Sequence, residues 1–83
     1  MGSVIIVFRI MPKGPEAVET VKAHIEGLNP QRIETEDVAF GLKALKVTFI
    51  IPDSGGEQDA LENRLNGIDE INNIEILTVS RSL

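Results

Sequence analysis

The sequence predicts an α+β fold with the element order β-α-β-β-α-β, and three observations carry that prediction. Residues 3–11 and 42–51 are long, strongly apolar runs rich in β-branched side chains, the mark of strands covered on at least one face. Each run is followed by a stretch whose apolar residues recur at helical spacing. Clusters of proline and glycine stand at the junctions. A chain of 83 residues, 42% hydrophobic and 25% charged, has material for one hydrophobic core, so residues 1–83 are expected to form a single domain.

In the first strand, residues 3–11, Val4, Ile6, Phe8 and Ile10 form one apolar set and are predicted to face the core. Ile5, Val7 and Arg9 form the opposite set, which ends in a charge. Pro12-Lys13-Gly14-Pro15 stops this strand, and Pro15 suits a first helical position because its missing N–H would have no intrahelical partner there. Val18, Val21, Ile25 and Leu28 then mark the buried stripe of an amphipathic helix, with Glu16 and Glu19 placed where the helix dipole favours negative charge. Gly27 is expected to adopt the left-handed C-terminal conformation, and Asn29-Pro30 bars continuation.

The second strand, 32–38, is rich in charge, as suits a sheet edge defended against aggregation. In the third strand, 42–51, Leu45, Val47, Phe49 and Ile51 alternate with Ala44, Lys46, Thr48 and Ile50. Only Ala39-Phe40-Gly41 separates these two strands, so they are predicted to form a hairpin. After Pro52, Ser54 and Glu57 match a capping box that opens a second helix with Leu61, Leu65 and Ile68 as its stripe and a stop near Gly67. Residues 73–80, with Ile74, Ile76, Leu77 and Val79, supply the last strand. Right-handed crossovers then place both helices on one face of a four-stranded antiparallel sheet whose central strands are the first and third, the ferredoxin-like arrangement.

Composition narrows the function classes. Cysteine is absent, which removes disulfides, thiol chemistry and cysteine zinc sites and favours a cytoplasmic setting. The first apolar run is far shorter than the ~20 residues that span a bilayer and has no basic leader, so neither a membrane nor secretion is expected. A net charge of −5 argues against direct nucleic-acid contact. Ferredoxin-like sheets can stack RNA bases on exposed strand aromatics, but Phe8 and Phe49 fall in the core-facing sets. His24 stands alone and reads as a helix-surface residue, Glu34, Glu36 and Asp37 lack the spacing of a calcium loop, and Gly55-Gly56 has no following Lys-Ser/Thr for a P-loop. No metal, cofactor or catalytic set is therefore assigned. Ile5, Val7, Ala44, Lys46, Thr48 and Ile50 are expected to share the helix-free sheet face, giving a mixed apolar and basic docking surface, and Phe40 at the hairpin either packs inward or protrudes as an anchor.

Residues Ala39-Phe40-Gly41-Leu42-Lys43-Ala44-Leu45-Lys46-Val47, preceded by an acidic stretch, resemble the central motif of the translation elongation factor 1-beta family, whose eukaryotic members carry a Gly-Phe-Gly-Ile-Lys-Lys-Leu segment. Ile10-Met11-Pro12, Gly67-Ile68 ahead of Ile74-Glu75-Ile76, and the ending Arg81-Ser82-Leu83 are similar to the short archaeal members. The resemblance implies guanine-nucleotide exchange on elongation factor 1-alpha, a GTPase, with no covalent chemistry and no cofactor. It also implies partner contact through Phe40, the aromatic of that segment, and Gly41, Lys43 and Lys46 beside it are expected to help dock the partner. Eukaryotic members place a lysine second from the end, directed at the GTPase magnesium site; here that position is Ser82, so the implied tip is Arg81 with Ser82 and Leu83. A monomer, free of nucleic acid and membrane, is expected. The alternative reading of the residues is a ferredoxin-like module that binds a small molecule or another protein.

Overall fold

A computed structural model describes residues 2–39 and 41–82 of the chain. The elements follow in the order β1 (Ser3–Pro12), a 3-10 turn (Pro15–Ala17), α1 (Val18–Glu26), β2 (Arg32–Ala39), β3 (Leu42–Pro52), α2 (Glu57–Asn66) and β4 (Ile71–Ser82). The sheet order is β2-β3-β1-β4 and every neighbouring pair is antiparallel, so the two most apolar strands are central and the charged β2 is an edge. This is the predicted ferredoxin-like fold. None of the described helices is long and apolar enough to cross a membrane.

Strand alternation decides what is buried. Val4, Ile6, Phe8 and Ile10 of β1 lie opposite Ile51, Phe49, Val47 and Leu45 of β3, and these two rows form the floor of the core. Val18, Val21 and Ile25 of α1 and Leu61 and Leu65 of α2 close it from above, with Leu28 and Ile68 packed at its margin. Phe8 and Phe49 meet edge to face, ring centroids 5.9 Å apart, which adds a directional aromatic contact to the area they bury.

Three local details depart from the sequence reading. Gly27 is right-handed (φ −66°), and the left-handed residue at the α1 exit is Asn29 (φ 58°), whose side chain tolerates that conformation. Ser54 does not cap α2: Gly56, at φ 90°, is the N-cap residue, with no side-chain hydrogen bond to it, because the Gly55-Gly56 turn carries the chain into the helix two residues after the serine. Pro15 opens a 3-10 turn, and α1 proper begins at Val18. A fourth difference lies in β4, which passes Leu77 through a bulge, since Val7 pairs with Thr78 and Phe8 with Ile76. At this sheet edge Ile76 and Val79 remain 40% and 48% exposed although they stand opposite the buried Phe8 and Ile6.

Candidate functional site

The sheet register brings the hairpin residues to one end of the molecule and the C-terminal residues to the other. Lys43 and Ala44 begin β3 beside the hairpin, whereas Pro52 lies opposite Ser3, which in turn lies opposite Ser82. Eight strand steps separate Ala44 from Pro52, about 27 Å at the usual rise. The longest dimension of the molecule is 43 Å, so a partner touching both ends must extend along most of it.

At the hairpin end Gly41 adopts φ 79°, the left-handed turn conformation that an L side chain resists. Phe40 lies outside the described residues. Lys43 donates to Asp37 Oδ1 at 2.7 Å, joining the two strands of the hairpin next to the turn. That hydrogen bond, reinforced by the ammonium charge, holds the Asp37 carboxyl below its ordinary range. Lys43 and Lys46 stand on opposite faces of β3: Lys43 shares the side of Leu45 and Val47, while Lys46 is on the helix-free side. The structure therefore divides the two lysines between faces.

The helix-free face has two halves. Near the hairpin it carries a row of charges across all four strands, Glu34, Lys46, Arg9 and Glu75, each opposite the next. Arg9 is the centre of this row. Its Nε donates to Glu36 Oε1 and its Nη1 to Glu75 Oε1, both at 3.4 Å, so one side chain on β1 reaches both edge strands. Glu36 lies opposite Ala44 and Arg9 opposite Lys46, so the Arg9 side chain crosses β3 diagonally to make the first contact. Ala44, fully buried on a face without helices, sits where that crossing occurs.

Arg9, Arg32 and Lys46 are matched on this face by Glu34, Glu36 and Glu75, which leaves it neutral. The expected apolar and basic surface is corrected accordingly: its cations are balanced, and the net charge of −5 resides on the helices, loops and core-side strand positions. Towards the other end the face becomes apolar and hydroxylic, with Ile5, Val7, Thr48 and Thr78, and Ile50 49% exposed.

At the C-terminal end Arg81 stands opposite Val4, a core residue, and therefore on the helix-bearing side of the sheet. Its Nη1 donates to both carboxylate oxygens of Asp53 at 3.0 Å. Asp53 opens the β3–α2 loop, and its own N–H donates to the Gly2 carbonyl at 3.1 Å, so the start of β1 and the ends of β3 and β4 meet there. Ser82 ends β4, paired with Ser3. Leu83 lies outside the described residues.

Among the described residues no group of three or more His, Asp or Glu side chains could hold a metal ion. His24 is on the α1 surface, its Nε2 3.9 Å from Glu70 Oε1. Sequence reasoning did not foresee the contacts of Arg9 with Glu36 and Glu75 or of Arg81 with Asp53. Charge alternation along the strands was the available signal for the first three, but pairing them required the register; Asp53 carried no signal beyond its place after Pro52.

Comparison with known proteins gives this geometry a family. Residues 5–81 match the family described as the EF-1 guanine nucleotide exchange domain. The chain is 41% identical to elongation factor 1-beta of Methanoregula boonei, with 96% of this chain and 98% of the relative aligned. It is 43% identical to the Methanosphaerula palustris protein of the same name, over 92% and 93% of the two chains, and 37% identical to that of Methanothermobacter thermautotrophicus, over 98% of each. A match spanning the β1-to-β4 sheet, including the hairpin and Arg81, means that the chain belongs to the EF-1 guanine nucleotide exchange domain family.

Proposed function

We propose that this protein is a guanine-nucleotide exchange factor that promotes GDP release and GTP reloading on elongation factor 1-alpha during translation elongation. The observation that carries the reading is the family match over residues 5–81, nearly the whole chain. The protein works as a single domain, monomeric when free, and makes no covalent bond to any substrate. Its partner holds the nucleotide and the magnesium ion, and the exchange factor acts by preferring the nucleotide-free state of that partner.

The separation of the two ends supports a division of labour. Phe40, Gly41, Lys43 and Lys46 at the hairpin dock the GTPase, and the tip formed by Arg81, Ser82 and Leu83 reaches the phosphate and magnesium site. A guanidinium suits this task because it offers several N–H donors in a plane to phosphate or carboxylate oxygens. Linkage sets the energetics: the factor by which the exchange protein weakens GDP is the factor by which GDP weakens the exchange protein, and couplings of about 1–3 kcal/mol correspond to roughly 5–150-fold. GTP binding then releases the exchange factor for another round.

The test is release of fluorescent GDP from elongation factor 1-alpha with the exchange protein at substoichiometric concentration. Acceleration is expected, and deletion of residues 81–83 is expected to abolish it while leaving the fold intact. Full activity after that deletion refutes the role of the tip, and absence of acceleration by the intact protein refutes the exchange reading. A small-molecule-binding module would instead show stabilisation by a ligand with no GTPase present.

A further inference from the structure

We infer that Asp53 is a positioning residue for the C-terminal tip, one that aims the Arg81 guanidinium at its target; this inference rests on the exchange reading above. β4 is held in place by its ladder with β1, which runs to the pair Ser3 and Ser82, so the backbone does not need a side-chain clamp. What the ladder leaves open is the direction of the long Arg81 side chain. Asp53 supplies it: both carboxylate oxygens lie 3.0 Å from Nη1.

The carboxylate itself is well placed to orient another group. Asp53 is anchored through its backbone N–H to the Gly2 carbonyl at 3.1 Å, and its side chain is the less exposed of the two, 34% against 71% for Arg81. Val4, Ile51, Gly56 and Gln58 line, together with Asp53 and Arg81, a recess of about 360 Å³ between β4 and the β3–α2 loop, so the ion pair forms part of its wall. Asp53 engages Nη1 and leaves the other guanidinium donors uncommitted to it, on a side chain that is 71% exposed. A phosphate or carboxylate oxygen of the docked GTPase can accept from them without displacing Asp53.

The experiment measures GDP release from elongation factor 1-alpha as a function of exchange-factor concentration, for the wild-type protein, Asp53→Asn, Asp53→Glu, Arg81→Ala and the Asp53→Asn/Arg81→Ala double variant. Asp53→Asn is expected to lower the maximal rate by up to about fivefold, the range open to an exposed ion pair. The half-saturating concentration should stay unchanged, because the hairpin contacts lie at the other end of the sheet. Asp53→Glu, which keeps the carboxylate, should recover most of the rate. In the Arg81→Ala background the asparagine change should have no further effect. Thermal melts separate loss of rate from loss of fold. A wild-type maximal rate in Asp53→Asn overturns the inference, as does an equal loss with and without Arg81. If the wild-type protein itself fails to accelerate release, the exchange reading falls and this inference with it; an active wild type with an indifferent Asp53 overturns this inference alone.

Discussion

Replacing Ala44 by valine puts the crossing of Arg9 over β3 to a direct test, because two effects of opposite sign compete at that position. On an open face of a central strand, valine is the better β-former, by up to about 1 kcal/mol. Ala44, however, is fully buried, and the Arg9 side chain passes from its place opposite Lys46 to Glu36, opposite Ala44. Two added methyl groups would occupy that path. Overpacking of a filled site costs about 1–3 kcal/mol. Loss of the Arg9–Glu36 contact adds only a few tenths of a kcal/mol, since both side chains are partly exposed, 41% and 37%, and solvent screens them. The balance is a net destabilisation of about 1–2 kcal/mol, or a fall in Tm of roughly 5–15 °C for a domain of this size. Urea unfolding with an unchanged m value would measure it. In an Arg9→Ala background the obstruction is gone and the same substitution should become neutral or stabilising. A neutral or stabilising effect in the wild-type protein, or the same cost with and without Arg9, refutes the crossing.

Other expectations follow from the core and the hairpin. Phe8→Ala removes a fully buried ring that packs edge to face on Phe49 and should cost about 3–5 kcal/mol in chemical denaturation; a loss below about 1 kcal/mol contradicts the packing described. Gly41→Ala meets no atom within 4 Å, so any cost comes from the backbone at φ 79°, about 1–2 kcal/mol, and a neutral result would mean the turn takes another conformation. The Asp37 carboxyl should titrate below an ordinary aspartate in an NMR pH series and return to the ordinary range in Lys43→Met. Its folded pKa is depressed, so the stability it contributes is present above the unfolded pKa of about 3.9 and disappears as pH falls through the lower folded value; no change is expected between pH 6 and 8.

The fold was legible where a single periodicity governed a segment. Val4, Ile6, Phe8 and Ile10 alternate without interruption, as do Leu45, Val47, Phe49 and Ile51, and the predicted core row is the observed one. Legibility failed where one residue broke the period or two candidates competed for one role. The bulge at Leu77 leaves no mark in composition, yet it determines which side of the sheet Val79 and Arg81 occupy. Gly27 was expected in the left-handed position and Ser54 at the N-cap; the local backbone path gives those roles to Asn29 and Gly56.

The candidate site divided in the same way. Its motif around Phe40 and Gly41 was readable as a contiguous stretch, and the family match covers it. The contacts that organise the rest join residues 27, 28 and 66 positions apart, Arg9 with Glu36, Arg81 with Asp53 and Arg9 with Glu75. Such pairs become visible only when the register has placed strands side by side, because nothing in a local window relates them. The neutrality of the helix-free face is a further case, since Lys46 looked unopposed until Glu34 and Glu36 were set across from β3.

The account rests most on exchange itself, and one measurement reaches it directly: the rate at which labelled GDP leaves elongation factor 1-alpha, with catalytic amounts of this protein present and excess unlabelled GTP in solution. Acceleration that grows with exchange-factor concentration, persists over many turnovers and falls sharply in both Phe40→Ala and the protein lacking residues 81–83 is the predicted result. A release rate identical with and without the protein would contradict the account.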